Sequence, residues 1–208
     1  MSLRQPLLLA LIVLAGCSTP ESEGKEIESL NFEDASPGSL PTSLTAFTGD
    51  WKVVVDTTAP SADHALAQSA TSESRDFNVV LLENTRIQAV DLSVSFKSIA
   101  GVIDQGGGPI WRAKDARNYY IARYNPLEDN YRVYTVVEGK RHQLMSANIP
   151  HSPGWHTLRI TMTGSTIQCF YDGEAHLELE DSTFTEAGKV GLWTKADAQT
   201  HFDDVKVR

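Results

Sequence analysis

Apolar residues in this chain recur at every second position, in one short segment after another. In "VDLSVSFK", Val90, Leu92, Val94 and Phe96 alternate with Asp91, Ser93, Ser95 and Lys97. In "TLRITM", Leu158, Ile160 and Met162 alternate with Thr157, Arg159 and Thr161. A period of two sends successive side chains to opposite faces of a strand, and a half-polar strand keeps one face wet. The segments 51–55, 77–82, 189–194 and 202–207 read as further strands. Turn signals such as "TGD", "DQGGG", "NPLED", "VEGK", "SPG", "TGS" and "YDG" separate them. About a dozen strands at roughly 8–12-residue spacing, with no amphipathic helix among them, predict an all-β fold: a two-sheet antiparallel β-sandwich.

The first segment of the chain does not belong to that fold. "PLLLALIVLA" is an apolar run behind Arg4, too short to span a bilayer as a mature helix. Residues 1–16 therefore read as a signal peptide. Leu14-Ala15-Gly16-Cys17 resembles the bacterial lipoprotein cleavage box, which makes Cys17 the expected lipidation site. Several acyl chains on that cysteine anchor a protein stably, where a single chain would be marginal. The expected address is the bacterial cell envelope, at the outer membrane where the cell has one. Residues 17–30 are polar and read as a lipidated cysteine and flexible tether, leaving 31–208 as one domain. The formal net charge of -9 argues against a nucleic-acid partner. With Cys17 committed to lipid, Cys169 has no disulfide partner and reads as a buried, inert thiol.

The stretch "WRAKDARNYYIARYNPLEDNYRVY" carries Arg112, Arg123 and Arg132 among its aromatics. A hairpin loop at 114–117 would put Arg112 opposite Tyr119, Trp111 opposite Tyr120 and Ile110 opposite Ile121. A second loop at 126–129 suits Pro126, which cannot donate to a ladder. It would put Asn125 opposite Asn130, Arg123 opposite Arg132 and Ala122 opposite Val133. Both hairpins then assign Trp111, Tyr120, Ala122, Tyr124, Tyr131 and Val133 to the core. The other face receives Arg112, Tyr119, Ile121, Arg123, Asn125, Asn130, Arg132 and Tyr134. Opposed arginines need an acceptor between them. Glu128, Asp129, Asp104, Asp197 or a ligand could supply it. Trp193 and Lys195 join this face if Leu192 points inward. Arginine forks grip oxygen atoms and rings stack on apolar surfaces, so the face is a candidate binding site.

The stretch from "DQGGGPIWRAKDARNYYIARYNPLEDNYRVY", together with "GWHTLRI", "YDG", "GKVGLWTKAD" and "FDDVKV", resembles a lineage of concanavalin A-like, laminin G-type jelly rolls. That lineage is grouped with 3-keto-disaccharide hydrolase-like and family 16 glycoside hydrolase-like domains. The resemblance implies a jelly roll whose ligands often lie on the concave side of one sheet. It also implies a structural calcium near an aspartate of the last strand. Asp203, with Asp34 or carbonyls near "NFED", would supply its ligands here, and no other cofactor is expected. The family 16 Glu-x-Asp nucleophile motif is missing, and Glu178 and Glu180 read as a solvated strand edge. His142, His151, His156, His176 and His201 are scattered and read as surface residues. Gly106-Gly107-Gly108 precedes a strand, so it reads as a turn or bulge and not a phosphate cradle. In "FDDVKV" the apolar spacing breaks at Asp203-Asp204, which predicts a bulge there.

Three functions fit these residues. The first is an anchored lipoprotein whose jelly roll recognises a glycan or sugar-derived ligand without catalysis. The second is a glycoside-processing enzyme of the keto-sugar type. The third is a structural envelope lipoprotein that binds a protein partner.

Overall fold

A computed structural model describes residues 27–72 and 76–208. The predicted signal peptide, Cys17 and most of the predicted tether lie outside these residues. Fifteen strands run in chain order: β1 (Glu28–Leu30), β2 (Leu44–Thr48), β3 (Trp51–Val55), β4 (His64–Gln68), β5 (Phe77–Leu82), β6 (Val90–Ala100), β7 (Gly107–Asp115) and β8 (Asn118–Asn125). They continue as β9 (Asn130–Val137), β10 (Lys140–Asn148), β11 (His156–Thr163), β12 (Thr166–Tyr171), β13 (Glu174–Glu180), β14 (Lys189–Lys195) and β15 (Gln199–Val207). No helix occurs among the described residues.

The strands form two antiparallel sheets. One has the order β13-β12-β11-β6-β15-β4-β3, with β1 added beside β15. The other has the order β10-β9-β8-β7-β14-β5-β2. The tether read from composition therefore ends in a strand: Glu28, Ser29 and Leu30 pair with Val207, Lys206 and Val205. Backbone bonding to the last strand holds a segment whose side chains are mostly polar.

The alternating residues meet between the sheets. Val90, Leu92, Val94 and Phe96 of β6 pack with Leu158, Ile160 and Met162 of β11 against Trp111, Tyr120, Ala122, Tyr124 and Val133. Each fully buried side chain of this size contributes about 1.5–3 kcal/mol, and that sum fixes which face of every strand turns inward. Trp111 stacks on Tyr120 with ring centroids 5.3 Å apart, and its Nε1 donates to Met162 Sδ at 3.2 Å. Cys169 is fully buried, and burial pushes its thiol pKa up, so it is not poised as a nucleophile. The last strand carries the expected irregularity, with a register shift between Asp203 and Lys206.

A second buried cluster lies on the other face of the seven-stranded sheet. It contains Val79, Leu81, Ile110, Tyr119, Ile121, Tyr134, Val136 and Trp193. No third layer of described strands crosses that face.

Candidate functional site

The second hairpin forms in the expected register. Asn125 pairs with Asn130, Arg123 with Arg132 and Ala122 with Val133. Period two then carries Tyr119, Ile121, Arg123 and Asn125 of β8 to the outer face, beside Asn130, Arg132 and Tyr134 of β9. On β14, Leu192 enters the core, so Trp193 and Lys195 turn to the same outer face.

The acceptor between the opposed arginines is Glu128. Arg123 Nη2 donates to Glu128 Oε2 at 2.8 Å, and Arg132 Nη1 donates to the same oxygen at 3.1 Å. Arg123 is 1% exposed, and its Nη1 also lies 3.4 Å from Asp104 Oδ2. Its Nη2 donates further to Asn130 Oδ1 at 2.9 Å. Asp104 collects Asn125 Nδ2 at 3.2 Å, the Gly106 amide at 2.7 Å and Lys195 Nζ at 3.6 Å. Asp197 has a different task. Its carboxylate accepts the amides of Val102, Ile103 and Asp104, which pins the loop that delivers Asp104. The loop comes so close that a Cβ on Gly106 would lie 2.8 Å from Arg123 Cδ. Burial would raise the pKa of Glu128, but bonding from Asn130 and the charges of Arg123, Arg132 and Arg141 outweigh it and hold it low.

Arg112 is not part of this group. The first hairpin is tighter than expected, with Asp115 paired to Asn118, and β7 shifts register between Trp111 and Asp115. Arg112 sits in that bulge with φ +46°. Its Nε donates to the Gln88 carbonyl at 2.9 Å, Nη1 to the Phe184 carbonyl at 2.9 Å and Nη2 to the Gly164 carbonyl at 3.0 Å. A bulge changes the face a side chain takes, so the row through Tyr119 loses its arginine. The backbone of Gly188 packs against the bulge, where a Cβ would lie 2.4 Å from Arg112 C.

A different arginine replaces it. Arg141 of β10 pairs with Val136, which puts it on the outer face. Its guanidinium carbon lies 4.3 Å from the Tyr134 ring centroid and 5.6 Å from that of Trp193. Sequence reasoning missed Arg141 because "KRHQLMSAN" has no clean alternation, and β10 shifts register between Gln143 and Met145. Five polar atoms of this face are buried without a well-formed hydrogen bond: Tyr119 Oη, Arg123 Nε, Tyr134 Oη, Arg141 Nη1 and Trp193 Nε1, of which Tyr119 and Trp193 still interact with each other. Buried polar groups are nearly always satisfied, so such a concentration marks a place where water or a ligand belongs.

Asp34 is exposed, whereas Asp203 is fully buried and accepts the Ser61 amide at 2.8 Å. Glu33 and the Asn31 carbonyl, the latter from the stretch expected to supply carbonyls, approach Asp203 through Ser61. Ser61 Oγ lies 3.0 Å from Asp203 Oδ1 and 3.1 Å from both Glu33 Oε1 and the Asn31 carbonyl. One hydroxyl proton can serve only one of three acceptors. Among the described residues, no group of three or more His, Cys, Asp or Glu side chains is placed to hold a metal. His156 is also not a surface residue. It is 8% exposed, with Nδ1 2.8 Å from Asp172 Oδ2 and Nε2 2.9 Å from the Ser152 carbonyl. Glu178 and Glu180 are exposed on β13, an edge strand of the other sheet.

No family model matches the sequence, and no curated protein matches it. Solved structures do match the fold. A carbohydrate binding module, CBM66 from Bacillus subtilis, superposes with a TM-score of 0.67 at 18% identity, covering 80% of this chain and 96% of that one. A protein of unknown function with a galectin-like fold, from Bacillus subtilis, gives 0.61 at 11% identity, over 89% of this chain and 96% of that one. A Bacillus licheniformis β-glucanase gives 0.60 at 13% identity, over 89% and 98%. With its two antiparallel sheets and these neighbours, the chain is a concanavalin A-like jelly-roll sandwich.

Proposed function

We propose that this domain recognises carbohydrate on the outer face of the seven-stranded sheet and does not cleave it. The observation that carries this reading is the set of five buried polar atoms without a well-formed hydrogen bond beside Tyr119, Tyr134 and Trp193, with Arg123 Nε, Tyr134 Oη and Arg141 Nη1 fully unmatched. Few placed polar groups in an apolar, aromatic setting are the usual make-up of a small-ligand site. The N–H and O–H groups suit the oxygens of a sugar. The Bacillus subtilis module with the same fold is a carbohydrate binding module by name, which supports the same use here.

The Arg123 network alone would equally suit a structural protein, because its charges are matched internally. Arg141 favours the binding reading, since its Nη1 has no internal match. Against catalysis stands Glu128. A general acid must stay protonated near neutral pH, and Glu128 is shifted the other way. Attachment to the cell envelope through lipid on Cys17 belongs to this proposal. So does a structural calcium, with Asp203, Glu33 and the Asn31 carbonyl as its nearest oxygen set. Hard oxygen ligands of this kind suit that ion.

The test is a glycan array probed with residues 27–208, which hold both sheets and their core, followed by incubation of each hit and product analysis. Binding without cleavage supports the proposal. Cleavage of a bound glycan overturns the non-catalytic part, and an array without hits overturns the whole.

A further inference from the structure

Each of the five buried atoms on the outer face can be classed by what it asks of a ligand. Arg123 Nε, Arg141 Nη1 and Trp193 Nε1 can only donate. Tyr119 Oη and Tyr134 Oη can donate or accept. None of the five is an acceptor alone. A neutral sugar hydroxyl brings a donor with its acceptors, and that donor would find no dedicated acceptor among these atoms. A carboxylate or sulfate brings acceptors only.

The charges point the same way. Arg123, Arg132, Arg141 and Lys195 share this face with the carboxylates of Asp104 and Glu128. Asp104 is bound by Arg123 and Lys195, and Glu128 by Arg123 and Arg132. Of these four cations, Arg141 is the one with no ion pair among the described residues, and burial followed by the neighbouring Arg123 charge lowers its pKa. The excess is positive in a chain whose formal net charge is -9. A local excess of cations on an acidic protein draws anions specifically to that place.

Resting on the carbohydrate reading above, we infer that the ligand is an acidic saccharide, with a carboxylate or sulfate group held between Arg141 and Arg123. The guanidinium carbon of Arg141 lies 4.3 Å from the Tyr134 ring centroid, which holds the group in place while its Nη1 stays without a partner. Trp193 Nε1 and the two tyrosine hydroxyls then reach the neighbouring sugar oxygens. Arg132 and Lys195 are 30% and 18% exposed at the margin, where they attract the anion as it enters.

The experiment uses residues 27–208 on an array that carries neutral, uronate-bearing and sulfated glycans. The strongest hit is then measured by calorimetry beside its carboxyl-reduced or desulfated counterpart and beside sodium sulfate and acetate. The expected hits are the acidic glycans, binding roughly tenfold or more tighter than the neutralised counterpart. Raising salt from about 50 to about 500 mM should weaken them severalfold. Arg141→Gln should erase the preference while its melting midpoint stays within roughly 3 °C of the parent. Neutral hits, or a neutralised counterpart that binds equally, overturn the acidic assignment and leave the carbohydrate reading standing. Equal binding of sulfate or acetate alone shows an adventitious ion only, which also overturns the acidic assignment. An array with no hit at all overturns both readings together.

Discussion

Arg112→Met should destabilise the domain by about 3 kcal/mol and leave glycan binding unchanged. The guanidinium ties three carbonyls from separate connections, at Gln88, Gly164 and Phe184, over 2.9–3.0 Å. Each hydrogen bond to a charged group is worth about 1.5–3 kcal/mol, so simple addition would give roughly 5–9 kcal/mol. That sum is too large. The bonds to Gln88 and Gly164 are only part-buried, so water takes over those two carbonyls when the guanidinium goes. The Phe184 carbonyl is buried and stays unsatisfied, at about 1–3 kcal/mol. Methionine keeps most of the apolar stem, and the lost cation no longer has to be desolvated, which offsets part of the rest. With a urea slope of about 2 kcal/mol/M, the midpoint should fall by about 1.5 M with the slope unchanged. A domain of ordinary stability remains folded after such a loss. Arg112→Lys should recover part of the shift, since an ammonium can reach at least one of the carbonyls. A midpoint shift equivalent to less than about 1 kcal/mol would refute the assignment. So would weakened binding of an array hit by Arg112→Met, because that would return Arg112 to the ligand face.

Arg123→Ala strips buried Asp104 and exposed Glu128 of their shared cation, leaving Lys195 and Arg132 beside them, and should cost about 2–4 kcal/mol in a urea melt, chiefly through Asp104; a neutral or stabilising change would mean that the arginine is held for a ligand alone. Cys17→Ala should move the protein out of the detergent phase on partitioning, and a variant that still partitions as a lipoprotein rejects the anchor. Thermal melts in calcium and in chelator should differ by several degrees if Asp203 and Glu33 hold the ion, whereas overlapping curves would sink that site. Burial would raise Asp56, but bonds from Lys97, Thr58 and His201 outweigh it and hold its pKa far below the usual range. Its stabilisation is therefore present above the unfolded value near 4 and lost as pH falls toward the folded one, so Asp56→Asn should flatten the acid limb of the pH–melting curve. Asp203 has the opposite sign: burial raises its pKa, so without a cation it opposes folding as pH rises above about 4.

The alternation in "VDLSVSFK" and "TLRITM" was enough to determine an all-β sandwich, because period two and apolar burial together fix the inward face of each strand. The Arg123–Arg132 pair was legible for the same reason, since its register depends only on the short loop at Pro126 and the residues beside it. The acceptor that reconciles the pair, Glu128, lies within that loop. The direction of Arg112 was not legible. It turns on a bulge that answers to segments far along the chain, where the Gly188 backbone and the Gln88 and Phe184 carbonyls approach β7. Arg141 was hidden too, because β10 alternates poorly and its face is set by pairing to Val136 across the hairpin. The approach of Glu33 to Asp203 through Ser61 depends on how the chain before β2 passes Ser61. The sequence by itself determined what neighbours along a strand decide: strand faces, the core and one hairpin register. Only the tertiary structure decided which arginines share the outer face, because bulges and loop approaches are set by residues remote in the chain, and local periodicity carries no record of them.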